Sequence, residues 1–485
     1  MKESRSSLAR MVDHRGASGD LPSAKRGSSS AARQLDFRLQ GFHYEPAMKT
    51  KRQDAVKPET PQSKHFLSRR VRRFFADLGP GLITGAADDD PSGISTYSVT
   101  GAAFGYAQLW TALFSFPLMA AVQLMCARLG MVTGRGLAGV VRRRYPRWVL
   151  WGACALLIVA NTVNIGADLG GMAEVTEMVT GINSLVWTPL YAVLIVSLLF
   201  WSSYHVIARV FKWLTLVLFA YVISAFLAHP DWSAVWRATL TPHIEWSRGY
   251  LATFVGILGT TISPYLFFWQ AALEVEEERA QGKRTVGRRK GATDEELRRM
   301  RADVLTGIFF SGLVMYFIIL TTASTLHAHG QTNITTARQA AEALRPLAGD
   351  GAYWLFALGL IGTGMLGVPV LAGSSAYAVA EAAAWRGSLE DRPPLSLKFY
   401  GVVAVSMLLG LALDYMGFDA VAMLFWSAVV NGVLAPPLIV LVVLLTSDRR
   451  VMGARVNPPL LRWLGWATAA VMTAATLAML WMWRA

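Results

Sequence analysis

TGAADDDPSGISTY, residues Thr84–Tyr97, is the stretch that decides the fold. It lies in an apolar run long enough to cross a bilayer, yet it carries three consecutive carboxylates at 88–90. Pro91 and Gly93 oppose a continuous helix, because proline lacks a backbone donor and glycine adopts conformations that other residues avoid. A charge at membrane depth costs about 2.5–3.5 kcal/mol on insertion scales, so such groups are usually functional. The stretch predicts a broken transmembrane helix that holds a cation; the alternative is a helix end with an acidic cap.

The composition is that of a membrane protein. The chain has 485 residues, of which 53% are hydrophobic and 16% charged, whereas a soluble protein has about 25% charged residues. Its mean hydropathy is +0.37. Apolar runs of about 20 residues recur to the C-terminus, which predicts an all-α polytopic membrane protein in contact with the lipid bilayer. No nucleophile–base pair or phosphate-binding loop occurs in the sequence, so it is not predicted to be an enzyme.

The apolar runs predict about eleven transmembrane helices. The predicted spans are 75–105, 108–129, 148–178, 185–201, 206–227, 250–273, 304–325, 352–385, 399–413, 421–445 and 463–483. The net charge of +14 comes from basic loops between these spans, so it is explained by membrane orientation and not by nucleic-acid binding. The basic loops are 135–147, 279–301 and 449–462.

The positions of the basic loops predict a cytoplasmic N-terminus, because Lys and Arg concentrate in cytoplasmic loops. Residues 1–70 are basic and rich in Ser, Gly and Pro, which predicts a disordered cytoplasmic tail. Residues 71–450 are the predicted transporter core, and residues 451–485 add a C-terminal transmembrane helix.

A second break is predicted in the sixth span, at GTTISPYLFFWQ (Gly259–Gln270). Pro264 leaves the carbonyl of Thr260 without its usual helical donor, although a single proline also fits a simple kink. The two breaks lie five spans apart, and five is odd, so the two halves of the chain are inverted relative to each other. Interrupted spans at matching places in inverted halves are typical of a secondary-transporter site at the bilayer midplane.

Two stretches resemble the Nramp divalent metal transporters. They are GPGLITGAADDDPSGISTYSVTGAAFGY (Gly79–Tyr106) and ARLGMVTGRGLA (Ala127–Ala138), and the resemblance extends over about residues 70–450. It implies a LeuT-like fold of two inverted five-helix repeats with broken helices 1 and 6, plus an extra span. It also implies a bacterial inner-membrane protein that transports divalent cations such as manganese or iron, the metal being its substrate and not a cofactor.

The sequence departs from that family at both breaks. Where the family has Asp-Pro-Gly-Asn, this chain has Asp90-Pro91-Ser92-Gly93, so the metal-binding carboxylate is kept and the Asn ligand is lost. Where the family has Met-Pro-His, this chain has Ser263-Pro264-Tyr265, so the thioether is lost. The predicted metal-binding residues are Ala87, Asp90, Gly93, Thr260, Ser263 and Tyr265.

Groups that the resemblance links to proton movement also differ. Tyr265 and Gln270 stand where the family has histidines, and Gly171 replaces the glutamate partner of Asp168. For Asp88 and Asp89 two roles stay open, holding the waters of an ion or facing an aqueous vestibule. The residues predicted to lie in a second shell or along the pathway are Asp88, Asp89, Asp168, Glu174, Gln270 and Asn431.

An oxygen-only site favours hard ions such as Mg²⁺ and Mn²⁺. The sequence therefore predicts a divalent cation transporter with weak or absent proton coupling, which resembles the magnesium-associated branch related to Nramp. The first alternative is a proton-coupled Mn²⁺/Fe²⁺ symporter of the kind usual in that family. A metal-binding membrane sensor that does not transport is the alternative from another class. A sodium-coupled amino-acid symporter is disfavoured, because three carboxylates at the first break would repel a substrate carboxylate.

Overall fold

The fold is all-helical over the part of the chain that the structure, a computed structural model, describes: residues 79–201, 216–389, 391 and 396–484. The predicted N-terminal tail and the first part of the predicted fifth span lie outside these residues. The helices of the first half are α1 (Pro80–Asp88), α2 (Pro91–Phe104), α3 (Trp110–Thr133), α4 (Leu137–Arg144), α5 (Arg147–Thr180), α6 (Ser184–Trp201), α7 (Ala220–Leu227) and α8 (Trp232–Leu240).

The second half begins with another interrupted pair. Its helices are α9 (Arg248–Thr261), α10 (Pro264–Ala280), α11 (Val286–Arg289), α12 (Asp294–Thr325), α13 (Ala337–Ala341), α14 (Arg345–Ala348), α15 (Ala352–Ala383), α16 (Leu397–Asp414), α17 (Ala420–Ser447), α18 (Arg449–Met452) and α19 (Pro459–Arg484). Both predicted breaks are confirmed: Asp89 and Asp90 separate α1 from α2, and Ile262 and Ser263 separate α9 from α10.

The number of membrane-spanning helices agrees with the sequence. Among the described residues, 9 helical stretches are long and apolar enough to cross a membrane, with α9 and α10 counted as one stretch. The broken pair α1 and α2 covers the predicted first span, and α7 covers the end of the predicted fifth. The all-α membrane fold with a broken helix in each half is therefore confirmed.

One predicted boundary was wrong. The helix of the seventh span begins at Asp294 and not near 304, because Thr293 and Glu296 form a reciprocal capping box that starts the helix in the charged loop. The segment after the fifth span contains a further short helix, α8. Asp231 begins α8 by accepting hydrogen bonds from two backbone amides of its first turn.

The three basic segments lie on one face of the molecule, hereafter the basic face. Arg144 at the end of α4 forms an ion pair of 2.6 Å with Asp448, which precedes α18. Arg455 forms an ion pair with Asp294 at the start of α12. These contacts join segments from three separate loops, as the positive-inside pattern requires of loops on one side of a membrane.

Helix α1 is fixed to α12 at its start. Asp303 of α12 accepts hydrogen bonds from the amides of Gly79 at 2.9 Å, Gly81 at 2.6 Å and Leu82 at 3.2 Å. A carboxylate at a helix N-terminus satisfies free amides and is favoured by the helix dipole. A Cβ added at Gly307 would lie 2.2 Å from the carbonyl oxygen of Gly81, so the two backbones touch and leave no room for a side chain. Helix α1 is thus held by charge and by close contact on the same neighbour.

Candidate metal site

The carboxylate of Asp90 begins α2. Its Oδ1 accepts hydrogen bonds from the amide of Gly93 at 2.9 Å and from the hydroxyl of Ser92 at 2.6 Å. Pro91 occupies the first position of the helix, where a missing backbone donor costs nothing. The sequence DPSG therefore places a carboxylate at a helix N-terminus inside the protein, where the helix dipole supports its negative charge.

The second oxygen of Asp90 faces other helices. Oδ2 accepts a hydrogen bond of 2.9 Å from the side-chain amide of Asn164 on α5, and it lies 3.4 Å from the hydroxyl of Tyr265 on α10. That hydroxyl has a single proton, which it donates to the carbonyl of Ala87 at 2.9 Å. Three oxygens, from Ala87, Asp90 and Tyr265, thus meet where the two broken helices approach each other.

At the second break, Ser263 turns its hydroxyl toward the end of α9. Its Oγ lies 2.7 Å from the carbonyl oxygen of Thr260 and 2.8 Å from that of Gly259. The carbonyl that Pro264 deprives of a helical donor therefore has a side-chain donor instead. Ser263 itself is 1% exposed, and its oxygen retains lone pairs that can face an ion or its waters.

Gly93 makes room between the two breaks. A Cβ at this position would lie 3.0 Å from Oγ1 of Thr260 and 3.6 Å from the carbonyl oxygen of Asp88. A side chain as large as asparagine would therefore crowd the end of α9. All six predicted metal-binding residues are brought to the two breaks.

Asp88 and Asp89 face α12, where Ser311 donates to both. Its hydroxyl contacts Oδ2 of Asp88, and it lies 3.3 Å from Oδ1 of Asp89. The carboxylates of Asp88, Asp89 and Asp90 are 0%, 4% and 1% exposed. None of the ion pairs formed within the described ranges includes any of them. Three buried carboxylates without a cationic side chain require a bound cation or protons to offset their desolvation.

Asp168 adds a fourth buried carboxylate. It lies on α5, one turn after Asn164, and it is fully buried. A Cβ added at Gly367 of α15 would lie 3.1 Å from Cβ of Asp90 and 3.9 Å from Oδ2 of Asp168, so both acids flank that glycine. Neither oxygen of Asp168 reaches hydrogen-bond geometry with a described donor, although the amide of Ser92 lies nearby. Asp168 is thus free to bind a proton or an ion.

Of the other predicted pathway residues, Glu174 and Gln270 have hydrogen-bond partners other than Asp90. Glu174 accepts a hydrogen bond of 2.9 Å from the amide of Ala337 at the start of α13. Gln270 donates to Glu274 at 2.9 Å, one turn further along α10. Asn431 lies on α17 and is 1% exposed, and neither atom of its amide has a partner in the described part of the chain.

Two residues at the site were missed by the sequence analysis. Asn164 belongs to the polar third span, and its spacing of four residues from Asp168 places both on one helix face, so this signal was present. Ser311 gave no signal, because a single serine in an apolar span does not show which helix it faces.

The position of the missing family glutamate is filled. A Cβ at Gly171 would lie 2.7 Å from Cδ1 of Leu424 on α17. Helices α5 and α17 therefore pack directly against each other where a carboxylate would otherwise stand. The side chain of Leu424 thus occupies the space next to Gly171 that a glutamate side chain would need.

Comparison with known proteins identifies the family. Residues 81–482 match the sequence profile of the Natural resistance-associated macrophage protein-like family, Nramp. The chain is 29% identical over 428 residues to the Divalent metal cation transporter MntH of Deinococcus radiodurans, covering 85% of this chain and 91% of that one. It is 30% identical over 425 residues to MntH of Xanthomonas campestris pv. campestris, covering 84% and 91%.

A solved structure shares the fold. The crystal structure of the Eremococcus coleocola manganese transporter, in complex with an aromatic bis-isothiourea substituted compound, superposes with a TM-score of 0.68 at 19% identity, over 86% of this chain and 88% of that one. The fold agrees with the one that the broken helices indicate. Because the family profile extends over most of the sequence and across both broken helices, the chain belongs to the Nramp family.

Proposed function

We propose that this protein transports divalent metal cations across a bacterial inner membrane through the site at the two breaks, with its N-terminus in the cytoplasm. The observation that carries the proposal is the set of buried carboxylates at 88–90 that lacks any cationic side-chain partner in the described ranges. Divalent cations offset such charge, and helix breaks at the midplane are where secondary transporters bind their substrates. The relatives that are named divalent metal cation transporters support the same assignment.

The donors favour hard ions. At the two breaks they are carboxylate, hydroxyl and carbonyl oxygens, and the position of the family methionine holds Ser263. Within the described residues, no three His, Cys, Asp or Glu side chains converge in a way that would hold an ion directly. An ion that keeps several of its waters fits such a site, and Mg²⁺ is the divalent cation that loses water most reluctantly. Mg²⁺ and Mn²⁺ are therefore the proposed substrates.

Proton coupling is proposed to be weak or absent. Tyr265 and Gln270 replace histidines, and neither side chain titrates near neutral pH. Leu424 packs where a carboxylate beside Asp168 would stand. Without the histidines and the glutamate, buried carboxylates are the side chains at the site that remain able to exchange protons.

One observation favours the second candidate, a proton-coupled Mn²⁺/Fe²⁺ symporter. Asp168 is fully buried and unpartnered among the described donors, and it flanks Gly367 together with Asp90. A carboxyl group in that position can carry a proton when a cation reaches its neighbour.

Influx into proteoliposomes tests these proposals. Purified protein is reconstituted, and entry of Mg²⁺, Mn²⁺ and Fe²⁺ is measured together with internal pH. We expect Mg²⁺ and Mn²⁺ to enter without acidification, and Asp90→Asn to abolish entry. Asp350→Asn is the matched control, since the Asp350 side chain is 99% exposed. Entry of Mn²⁺ or Fe²⁺ with protons, and none of Mg²⁺, would select the symporter. Entry of no divalent cation into well-folded protein would rule out both.

A further inference from the structure

A pocket on the basic face is lined by five arginines and a single acidic residue. It encloses about 240 Å³, well above the space that one water molecule needs, on the order of 10–15 Å³ by the same kind of measure. Its walls come from the segment between α3 and α5, from α10 and α11, and from the end of α15. The arginines that line it are Arg135, Arg142, Arg143, Arg279 and Arg289.

The positive charge of this pocket is poorly compensated from within. Glu381 is its one acidic lining residue, and its two oxygens already accept hydrogen bonds from the amides of Gly136 at 2.8 Å and Gly139 at 2.9 Å. Arg279 is paired with Glu276 at 2.7 Å. The other four arginines take part in no ion pair formed by described residues. The pocket therefore holds an excess of fixed positive charge.

One of these arginines is buried in the wall of the pocket, and Arg135 is half-buried. Arg289 is 4% exposed, and its guanidinium donates to the carbonyls of Gly134, Lys283 and Arg284, which are neutral acceptors. Burial, and then the nearby charge of Arg143, lower the pKa of Arg135. Cations that outnumber the carboxylates beside them are costly to pack together unless a further anion joins them.

We propose that this pocket binds a phosphate-bearing anion, either the headgroup of an anionic phospholipid or a soluble phosphate. Arginine side chains bind phosphate through paired N–H donors, and several of them from different segments can surround one phosphate group. Trp385 completes the lining, and the ammonium of Lys398 lies 5.2 Å from the centre of its ring. A basic pocket between transmembrane helices, beside an exposed tryptophan, matches the level of lipid headgroups.

Binding would add a contact between two helices that already pack against each other, as Trp269 of α10 does against Tyr377 of α15. The lining comes both from α10, which follows the second break, and from the end of α15, which passes beside Asp90 at Gly367. A bound phosphate therefore bridges these two helices at the basic face, and it would stabilise the arrangement in which they are close.

The test uses the full-length protein and a pocket variant, Arg135→Gln/Arg142→Gln/Arg143→Gln. The matched control is Arg298→Gln/Arg301→Gln/Arg449→Gln, which removes the same charge from exposed positions on the same face. Native mass spectrometry measures retention of phosphatidylglycerol against phosphatidylcholine, and thermal unfolding is followed with inorganic phosphate against chloride at equal ionic strength. If the pocket variant does not fold, Arg143→Gln alone, at an exposed position, is measured in the same way.

We expect the wild type and the control to prefer phosphatidylglycerol over phosphatidylcholine, or phosphate over chloride, by about tenfold or more, equivalent to about 1.4 kcal/mol. The pocket variant should lose that preference. Selective retention of phosphatidylglycerol identifies the lipid as the source, and stabilisation by inorganic phosphate alone identifies a soluble one. Equal binding by the pocket and control variants would overturn the proposal, because it would reduce the effect to general surface charge. Absence of any preference in the wild type would overturn it as well.

Discussion

Asn164 contacts the carboxylate of Asp90, the proposed cation ligand, from outside its own helix. Ser92 and Gly93 fix one oxygen of Asp90 from within α2, whereas Asn164 reaches the other oxygen from α5 at 2.9 Å. A hydrogen bond to a charged group contributes about 1.5–3 kcal/mol. The orientation of Asp90 therefore depends on a neutral amide from another helix as well as on its own capping interactions.

The substitution Asn164→Ala should weaken metal binding. It removes the donor to Oδ2 of Asp90, and a loss of about 1.5–3 kcal/mol corresponds to roughly a 10- to 100-fold rise in the apparent KM for influx. Asn161→Ala is the control one turn earlier, because Asn161 bonds to the carbonyl of Leu371 and the hydroxyls of Ser374 and Ser375. That control should lower thermal stability and leave the KM nearly unchanged. An unchanged KM in Asn164→Ala would show that Asp90 does not need this donor.

The substitution Tyr265→Phe should destabilise the protein more without metal than with it. The hydroxyl of Tyr265 donates a hydrogen bond of 2.9 Å to the buried carbonyl of Ala87. Leaving a buried acceptor without a donor costs about 1–3 kcal/mol of stability. A bound ion or its water can take over that carbonyl. Thermal unfolding with and without Mg²⁺ measures the difference, and Tyr415→Phe, whose hydroxyl bonds at an exposed position to Leu185, is the control. Equal destabilisation with and without Mg²⁺ would show that the Tyr265 hydroxyl takes no part in metal binding.

The individual site residues were predictable to different degrees. Ala87 followed from the proline at the first break, because Pro91 leaves its carbonyl without a helical donor, whereas Asp90 and Tyr265 were named from their side-chain oxygens and from the family resemblance. The spacing of Asn164 and Asp168 places both on one face of α5, but it does not show that this face meets α2. Ser263 was expected to face the ion, whereas its hydroxyl first satisfies the carbonyls of Gly259 and Thr260.

Among the elements, α1 and α12 are joined at several points near the site. Asp303 accepts from three amides at the start of α1, and Gly81 and Gly307 bring the two backbones into contact. Ser311, two turns after Asp303, then reaches Asp88 at the other end of α1. One helix of the second half therefore supports both ends of the first broken segment.

The substitution Gly307→Ala should disturb the metal site from a distance. Its Cβ would lie 2.2 Å from the carbonyl oxygen of Gly81, so α1 must shift and carry Ala87 and Asp88 with it. Overpacking of this kind costs about 1–3 kcal/mol. Metal influx should fall, whereas Gly312→Ala on the same helix, with no atom within 4 Å of the new Cβ, should keep it. Equal influx in the two variants would show that α1 tolerates displacement.

Helix existence was easier to predict than helix ends. The apolar runs identified the spans, since about 20 apolar residues are needed to cross the bilayer. Helix α12 nevertheless extends into the charged loop, because the capping box of Thr293 and Glu296 stabilises a start outside the apolar region. Hydropathy alone does not detect such a start.

At the scale of the whole molecule, basic segments from separate loops collect on one face. The basic face gathers three arginine-rich segments through contacts such as Arg144 with Asp448. Glu174 of α5 accepts a hydrogen bond from the first amide of α13, a helix in the polar stretch between α12 and α15. The fold itself was predicted from two broken-helix motifs five spans apart and from the family resemblance, because interrupted spans at matching places indicate inverted repeats.

Cysteine accessibility should report the orientation in the membrane. The two native cysteines, Cys126 and Cys154, are fully buried, so background labelling should be low. A membrane-impermeant maleimide should modify Asp350→Cys in intact cells and Arg298→Cys only after the membrane is opened, since the basic face is expected in the cytoplasm. The reverse pattern would invert the proposed orientation.

The attachment of α1 to α12 determines where the protein can hinge. Because α1 is tied to the first half of α12 at Gly79–Leu82 and again through Ser311, a swing of α1 would take that half along and bend the chain at Asp89–Asp90. The second half of α12 would stay with α2, against which it packs at Gly101. Asp88 would travel with Ser311, while Asp90 would stay behind with α2 and Asn164. The same movement that opens the basic face would thus pull the acidic cluster apart and loosen its hold on the ion. Release of the cargo would then follow from the mechanics of opening, without a separate trigger.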